Sequence, residues 1–360
     1  MKVRENILKK TIAWILAGAL SVGAAAGCGG QQNRQGGPAD QGSGAAVQQE
    51  EEKNQNPGAE GQTQPDSRTD SKGTIMVTYV KSPLNVPSIV EKDQAIFAEA
   101  FGKLGYDVGY SDLTTGPEQT QALASGDIQF LYAVGATSVI LAASNGLDIK
   151  IISTYSRSPK AFKLFSKDGS IQSPEDLRGK KVAGPKGTIL HELLTAYLAS
   201  GGMTEQDIEF LSMGIPDSQA ALMGGSVDAA LLAGPAAYNT EKDGFQVVTD
   251  GEGLTEATIV VAVGGAYANE HPKEVKTFLD AQKQVLDYIE AEEETAMATA
   301  AKETELTAEA VKEMYPLYDF DMTIKDSDIE AMKKTERFMK ENGMTEEDVD
   351  IEGLILRLAP

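Results

Sequence analysis

The stretch Ala122-Leu-Ala-Ser-Gly-Asp-Ile128 has a counterpart at Ala221-Leu-Met-Gly-Gly-Ser-Val227, and the same offset pairs Gly135 with Gly234. Each copy has the pattern of a helix end, a glycine turn, a strand, a second glycine turn and a new helix. Such turns also recur by chance in α/β proteins. Taken as a repeat, the pattern predicts two similar lobes, each with a strand-to-helix turn at the carboxyl edge of its sheet, where ligands of open α/β sheets bind.

The rest of the chain from residue 74 onward continues this alternation. Strand patterns occur at 74–80, 107–113, 128–132, 149–154, 180–183, 208–213, 227–232 and 258–263, and helix patterns lie between them at 88–104, 116–126, 136–144, 188–199, 217–223 and 235–240. Strands that alternate with helices predict parallel-sheet α/β architecture. We expect a first lobe over 74–160, a second over 161–265, and a return to the first lobe with C-terminal helices over 266–360.

The N-terminal segment has the three parts of a secretory signal, which predicts a signal peptide over 1–27. A basic start precedes an apolar run of about 12 residues, shorter than the roughly 20 that a membrane-spanning helix needs. The exit, Ala26-Gly27-Cys28, is similar to the lipobox of bacterial lipoproteins, although Ala25 stands where leucine is usual. We therefore predict a lipid on Cys28, the only cysteine of the chain. The alternative is a plain signal peptide that is cleaved nearby and leaves an unmodified thiol. Residues 28–73 have the composition of a disordered tether.

Composition argues against several classes of function. The net charge is −22, and all of it falls on residues 74–360 because residues 1–28 (+3) and 29–73 (−3) cancel. That acidity opposes binding to nucleic acid. With two histidines and one cysteine in the chain, we expect no metal site, no cofactor and no catalytic residues. The run Gly184-Pro-Lys-Gly187 lacks the Gly-Lys-Ser/Thr ending of a phosphate loop.

If the two lobes face each other, the loops that follow the strands form a crevice, and several end at helix N-termini that favour an anion or a polar oxygen. Hydroxyls and three cations, Lys81, Arg157 and Lys186, accompany these loops, although each hydroxyl could simply cap its helix and Arg157 could simply be solvated. The predicted ligand-binding residues are Lys81, Ser82, Thr115, Gly135, Thr137, Arg157, Gly187, Thr188, Ser218 and Gly234.

One further stretch is similar to a known family. Ser173-Pro-Glu-Asp-Leu-Arg-Gly-Lys-Lys-Val-Ala183, followed by Lys186-Gly-Thr188, resembles the second-lobe opening of type II solute-binding proteins, in the aliphatic sulfonate, taurine and nitrate group of ABC importers. The stretches at 122–128 and 225–229 also resemble motifs of that group. The resemblance implies an α/β, two-lobed, periplasmic-binding-protein-like (type II) fold with a helical C-terminal region.

The same resemblance implies a protein that closes around a small polar or anionic solute and delivers it to an ABC permease. Together with the predicted lipid on Cys28, it predicts a membrane-tethered monomer on the extracytoplasmic face of the cell membrane. Ala233-Gly234-Pro235 departs from the aromatic-acidic-proline group that many sulfonate binders carry. A nitrate-like anion, a small organic acid and a thiamine-precursor-like pyrimidine therefore remain open as ligands. An enzyme on the same fold and a surface protein without a ligand are the other two hypotheses.

Overall fold

Ten strands form two sheets in the computed structural model, which describes residues 71–357. The strands are β1 Thr74–Thr78, β2 Asp107–Ser111, β3 Phe130–Gly135, β4 Ile149–Arg157, β5 Phe162–Ser166, β6 Lys181–Gly184, β7 Glu209–Ser212, β8 Ala229–Ala233, β9 Gln246–Asp250 and β10 Thr258–Gly264. The first sheet has the order β2-β1-β3-β10-β4 and the second the order β7-β6-β8-β5-β9. The predicted signal peptide, Cys28 and all but the last residues of the predicted tether lie outside the described residues.

Thirteen α-helices occupy the described part of the chain. They are α1 Val86–Gln94, α2 Ile96–Gly102, α3 Gly116–Ser125, α4 Ala136–Ser144, α5 Ile189–Ser200, α6 Ile215–Met223, α7 Gly234–Lys242, α8 Gly265–Glu270, α9 Pro272–Ala291, α10 Glu293–Thr304, α11 Ala308–Met314, α12 Asp326–Glu341 and α13 Ile351–Leu354. Among them, none is both long and apolar enough to cross a membrane. The two sheets with their helices confirm the predicted two-lobed α/β fold with a helical C-terminal region.

Each sheet is mixed, whereas the alternation of strands and helices predicted parallel sheets. β1 pairs in parallel with β2 and β3, but β10 is inserted antiparallel between β3 and β4. In the second sheet β6 pairs in parallel with β7 and β8, and β5 runs antiparallel to β8 and β9. The inserted strands come directly after each crossing between lobes, so they lack the crossover α-helix that a parallel strand connection requires.

The chain crosses between the sheets twice, at 158–161 and at 251–257. The second crossing lies before β10, so this strand belongs to the first sheet and not to the second lobe, where the predicted boundary at residue 265 had put it. Six of its seven residues are buried, because β3 and β4 flank it on both sides and helices cover its faces. Its apolar sequence is therefore that of a central strand, but nothing in it identifies which sheet it joins.

The C-terminal helices rebuild the first lobe. Phe278 of α9 stacks on Phe130 of β3, with ring centroids 4.4 Å apart. It also packs at a tilt against Phe97 of α2, with centroids 4.5 Å apart. These three rings are fully buried, so α9 closes the core on the face opposite α4. The returning helices thereby fix the first sheet, whose carboxyl edge faces the second lobe.

Candidate functional site

A cavity of ≈ 380 Å³ lies between the lobes, at the carboxyl ends of the parallel strands of both sheets. Loops after β1, β2 and β3 supply its first-lobe wall, and loops after β6, β7 and β8 supply its second-lobe wall. Its size falls within the range typical of small-molecule sites. The cavity therefore lies where the sequence predicted the ligand crevice.

Five helices begin at this cavity. The lining includes the first residues of α3 to α7 or the residues that directly precede them, namely Thr115, Gly116, Gly135, Thr188, Ile189, Ile215, Pro216, Pro235 and Ala236. No side chain caps α4, α5, α6 or α7. The first N–H groups of a helix have no partner within the helix, and the helix dipole adds partial positive charge there. The cleft thus offers several donors that can hold an oxyanion without a full counter-charge.

Charged side chains are scarce in the described lining, which contains one cation, Lys81, and one carboxylate, Asp112. Lys81 Nζ lies 3.6 Å from a carboxylate oxygen of Glu303, which is not in the lining. Most of the remaining lining is apolar, including Phe162 and Ile259. Such a site excludes water while keeping a few polar groups to fix the orientation of a ligand.

Five of the ten predicted ligand-binding residues line the cavity: Lys81, Ser82, Thr115, Gly135 and Thr188. Thr115 also caps α3, because its Oγ1 accepts the N–H of Glu118 at 3.4 Å and Glu118 Oε2 accepts the N–H of Thr115 at 3.0 Å. Thr188 donates its hydroxyl to the Pro185 carbonyl at 2.8 Å. Both hydroxyls therefore shape the loop at a helix start.

The other five predicted residues do not line the cavity. Arg157 points toward the C-terminal region, where its guanidinium donates to both carboxylate oxygens of Asp328 at 2.5 and 2.6 Å and to Asp319 at 3.2 Å. Although burial opposes it, the hydrogen bonds from Arg157 and from the Lys325 N–H hold the pKa of Asp328 below its usual range. Arg157 is thus part of an ion-pair network that fastens the C-terminal segment to β4.

Thr137, Gly187, Ser218 and Gly234 contribute to contacts that surround the cavity. Thr137 Oγ1 donates to Glu192 of the second lobe at 2.5 Å, and the Gly187 carbonyl accepts the hydroxyl of Ser138 from the first lobe at 2.8 Å. Ser218 donates to the Gly214 carbonyl at 2.9 Å within the start of α6.

Gly234 lies in the left-handed region, with φ +61°, and a Cβ there would lie 1.8 Å from the Pro83 carbonyl oxygen of the opposite lobe. Glycine is therefore required for this close approach between the two lobes.

The predicted ligand-binding residues leave out five polar residues of the lining: Asp112, Thr114, Gln119, Ser138 and Gln219. Asp112 fell at the end of a predicted strand, and the two glutamines fell on helices without a distinguishing motif. Each of these residues lies just after a strand or in the first two turns of the next helix. That shared position is the sequence signal that could have identified them as ligand contacts. In a parallel sheet these positions face the ligand edge.

The described residues contain no cluster of three or more histidine, cysteine, aspartate or glutamate side chains that could hold a metal ion. His191 does not line the cavity; its Nε2 lies 2.5 Å from Glu205 Oε2, and burial lowers the pKa of the imidazole. The cleft thus offers binding groups, and its described lining includes no histidine or cysteine nucleophile.

Comparison with known proteins agrees with this geometry. Residues 89–296, more than half of the chain, match the model of the family described as NMT1/THI5 like. The chain is 32% identical to the taurine-binding periplasmic protein of Escherichia coli strain K12, over 58% of this chain and 66% of that protein. It is 26% identical to a putative aliphatic sulfonates-binding protein of Bacillus subtilis strain 168, over 75% of this chain and 82% of that protein.

The fold is shared with solved structures. The alkanesulfonate-binding protein SsuA from Xanthomonas axonopodis pv. citri, bound to MOPS, superposes with a TM-score of 0.73 at 20% identity, covering 80% of this chain and 99% of that one. The desulfurization enzyme DSZB superposes with a TM-score of 0.57 at 15% identity, covering 79% and 96%. The curated relatives named above are binding proteins, and the fold also accommodates an enzyme.

Proposed function

Because the chain belongs to the NMT1/THI5-like family, we propose that it is the solute-binding component of an ABC importer and that it captures a small sulfonate between its lobes. The observation that carries this proposal is the convergence of uncapped helix N-termini on one interlobe cavity. A sulfonate has three oxygens that can each accept an N–H, so several helix starts can share one anionic group. The names of the taurine- and sulfonate-binding relatives support the same class of solute.

Closure of the lobes is the proposed mechanism of capture. Two hydrogen bonds cross between lobes beside the cavity, from Ser138 to the Gly187 carbonyl and from Thr137 to Glu192. A solute that contacts both walls adds binding energy only in the closed form, and so shifts the population toward it. No chemical step is required, which distinguishes this protein from an enzyme on the same fold.

In this proposal the solute contacts Lys81, Ser82, Thr115, Gly135 and Thr188, together with the N–H groups at the starts of α4 and α5. Among the described residues of the lining, Lys81 is the cation that can act as counter-ion to the anion. Its ion pair with Glu303 neutralises part of its charge. Most of the anion binding therefore falls to backbone groups, which makes the site sensitive to any added negative charge.

A lipid on Cys28 completes the proposal, because it would hold a monomeric binding protein beside its permease on the extracytoplasmic face of the membrane. Cys28→Ala should release the protein from the membrane fraction into the soluble fraction while its affinity for solute stays unchanged. A Cys28→Ala protein that still sediments with membranes would contradict the lipid anchor, and the proposal that the protein binds a solute would still stand.

Thermal denaturation of the purified full chain, measured with alkanesulfonates, nitrate, small carboxylates and pyrimidines, tests the binding function. A solute at one hundred times its dissociation constant stabilises the folded state by about 2.7 kcal/mol, which raises the melting temperature. We expect sulfonates to give the largest rise. If no sulfonate shifts the melting temperature, the proposal fails. A shift with a pyrimidine alone would identify a thiamine-precursor-like ligand instead. Turnover of a bound compound would identify an enzyme.

A charge placed at one helix start provides a matched pair of variants. Ala236 is the third residue of α7 and lines the cavity. Ala236→Asp suits a helix N-terminus but adds a negative charge to the wall of the cavity that holds the anion, whereas Ala236→Asn has the same shape without the charge. We expect the aspartate variant to bind ethanesulfonate at least about tenfold more weakly than the asparagine variant. Equal affinities in the two variants would place the anion elsewhere.

A further inference from the structure

Glu192 is a carboxylate buried where the two lobes meet, with 3% of its surface exposed. It lies in the first turn of α5, in the second lobe. Its Oε2 accepts the hydroxyl of Thr137 at 2.5 Å, and its Oε1 accepts the hydroxyl of Thr335 at 2.9 Å. Thr137 belongs to α4 and Thr335 to α12, and both helices pack in the core of the first lobe. Both oxygens of one second-lobe carboxylate are therefore bonded to the first lobe.

The bond between Glu192 and Thr137 joins two helix starts that line the cavity. Gly135 directly precedes α4 and Ile189 begins α5, and both residues belong to the lining. The two starts are close to each other, because a Cβ added at Gly135 would lie 3.2 Å from the Ile189 side chain. No side chain caps either helix. The Glu192 bond therefore restrains the relative position of two groups of N–H donors that we propose to hold the sulfonate.

The carboxylate of Glu192 is buried without a counter-ion among residues 71–357. Four charged side chains share a surface pocket with it, namely Lys334, Arg337 and Glu341 of α12 and Glu256 of the second crossing. Lys334 pairs with Glu256 at 3.0 Å, and Arg337 is exposed. The third neighbouring element, α4, carries no titratable side chain. Burial therefore raises the pKa of Glu192, although the hydrogen bonds from the threonine hydroxyls oppose this shift.

Separation of the lobes would change the surroundings of Glu192 and not those of the neighbouring histidine. Water would replace the first-lobe hydroxyls around the carboxylate, so the pKa of Glu192 would return toward its usual 4.5. His191 has its partners within the second lobe, because its Nε2 contacts Glu205 and its ring stacks on Phe210. Closure of the lobes therefore raises the proton affinity of Glu192 and leaves that of His191 as it is.

We propose that Glu192 is a positioning residue that joins the starts of α4 and α5 across the lobe boundary, and that it takes up a proton when the lobes close on a solute. This inference rests on the proposed function and couples solute binding to pH. The proton comes from the solvent, and the resulting acid O–H can donate to one threonine hydroxyl while the other threonine donates to the C=O. The contribution of Glu192 to affinity is then fully present below the pKa of the open form. It is lost as pH rises through the higher pKa of the closed form.

Titration of the unbuffered full chain with ethanesulfonate in a pH-stat tests the inference. Ethanesulfonate does not titrate in this range, so the acid needed to hold the pH measures the protons that the protein takes up. We expect uptake of a fraction of one proton per bound solute, and an affinity that falls by up to about tenfold per pH unit between about pH 5 and 8. Binding without proton uptake would overturn the inference and leave the proposed function standing. Failure of every sulfonate to bind would contradict the proposed function itself.

Glu192→Gln separates the proton from the hydrogen bonds. The amide keeps one acceptor and gains a donor, so it can bond to both threonines, and it does not titrate. We expect this variant to lose the proton uptake and to bind ethanesulfonate at about pH 8 at least as tightly as the unaltered protein. A Glu192→Gln protein that takes up as many protons as the unaltered protein would refute the assignment.

Thr137→Val removes the bond across the lobe boundary and keeps the shape of the side chain. We expect it to weaken the binding of ethanesulfonate by about threefold to tenfold, because the lost bond forms only in the closed protein. Thr195→Val is the matched control, since Thr195 is also buried on α5 but donates to the His191 carbonyl of its own helix at 2.9 Å. Equal affinities in the two variants would show that Glu192 does not position the helix starts.

Discussion

Gly234 is a position of close approach between the two lobes, and replacing it with alanine should weaken solute binding. A Cβ at Gly234 would lie 1.8 Å from the carbonyl oxygen and 2.5 Å from the carbonyl carbon of Pro83. These are backbone atoms, so no side chain can turn away to make room. Contacts of a real Cβ essentially never fall below 3.0 Å, and the lobes must therefore separate by more than an ångström before the residue fits.

That separation costs free energy only in the closed form. The hydrogen bond from Ser138 to the Gly187 carbonyl, now 2.8 Å, would stretch beyond hydrogen-bond length if it opened by the same amount. Loss of such a bond costs about 0.5–1.5 kcal/mol, and lost packing between the walls adds a similar amount. A total of roughly 2 kcal/mol corresponds to about a thirtyfold rise in the apparent dissociation constant.

Gly225→Ala is the matched control for Gly234→Ala. Gly225 also has a positive φ, +70°, but a Cβ there would approach only the flexible end of Lys167, at 3.5 Å. Both variants have a residue in the left-handed region, which costs about 1–2 kcal/mol of stability. Only Gly234→Ala should lose affinity in calorimetric titration with a bound sulfonate. If both variants bind as tightly as the unaltered protein, the Gly234 contact does not limit closure.

Two further variants test ion pairs and buried carboxylates outside the cavity. Arg157→Ala should destabilise the protein by about 3 kcal/mol in denaturant unfolding, because it leaves the buried Asp328 carboxylate without its cation. The affinity for solute should not change. A loss of affinity without a loss of stability would show that Arg157 contacts the solute. Burial raises the pKa of Glu91 to about 7, so the folded state retains a proton that the unfolded state releases, and stability should fall as pH rises from about 4.5 to 7. Glu91→Gln should remove that decline, and a variant with the same pH profile as the unaltered protein would refute it.

Local sequence patterns predicted most elements of this fold because their causes are local. The strand at Phe130–Gly135 is a continuous buried apolar run, and α3 begins with a capping threonine and ends before Gly126, which adopts the left-handed conformation. The predicted helix over 88–104 was wrong in one respect, since it is broken at Ala95 with φ 54°. There the buried Glu91 carboxylate accepts the N–H of Phe97 and so caps the second helix from outside it.

The misplaced site residues have long-range causes that spacing in the sequence cannot reveal. Arg157 bonds to Asp328, 171 residues away, and Thr137 bonds to Glu192, 55 residues away. Both lie at the end of a strand or the start of a helix, where the sequence pattern is the same as for a ligand contact. Which of these positions faces the cavity depends on how the C-terminal helices and the second lobe pack, and on the antiparallel insertion of β10.

The two walls of the cavity differ in charge in a way that assigns them different roles. Both charged residues of the described lining, Lys81 and Asp112, belong to the first lobe, while the second-lobe lining is neutral and contributes Pro185, Pro216 and Pro235. Proline loses little conformational entropy when it is ordered, so this wall can close on a solute at low cost. We therefore expect substitutions in the second-lobe wall to change the affinity for all solutes together. Substitutions in the first-lobe wall should instead change the ratio of affinities between solutes, because the charges that distinguish them lie there. Titration of variants from both walls with the same pair of sulfonates measures this division, and a second-lobe substitution without charge that reversed the preference would contradict it.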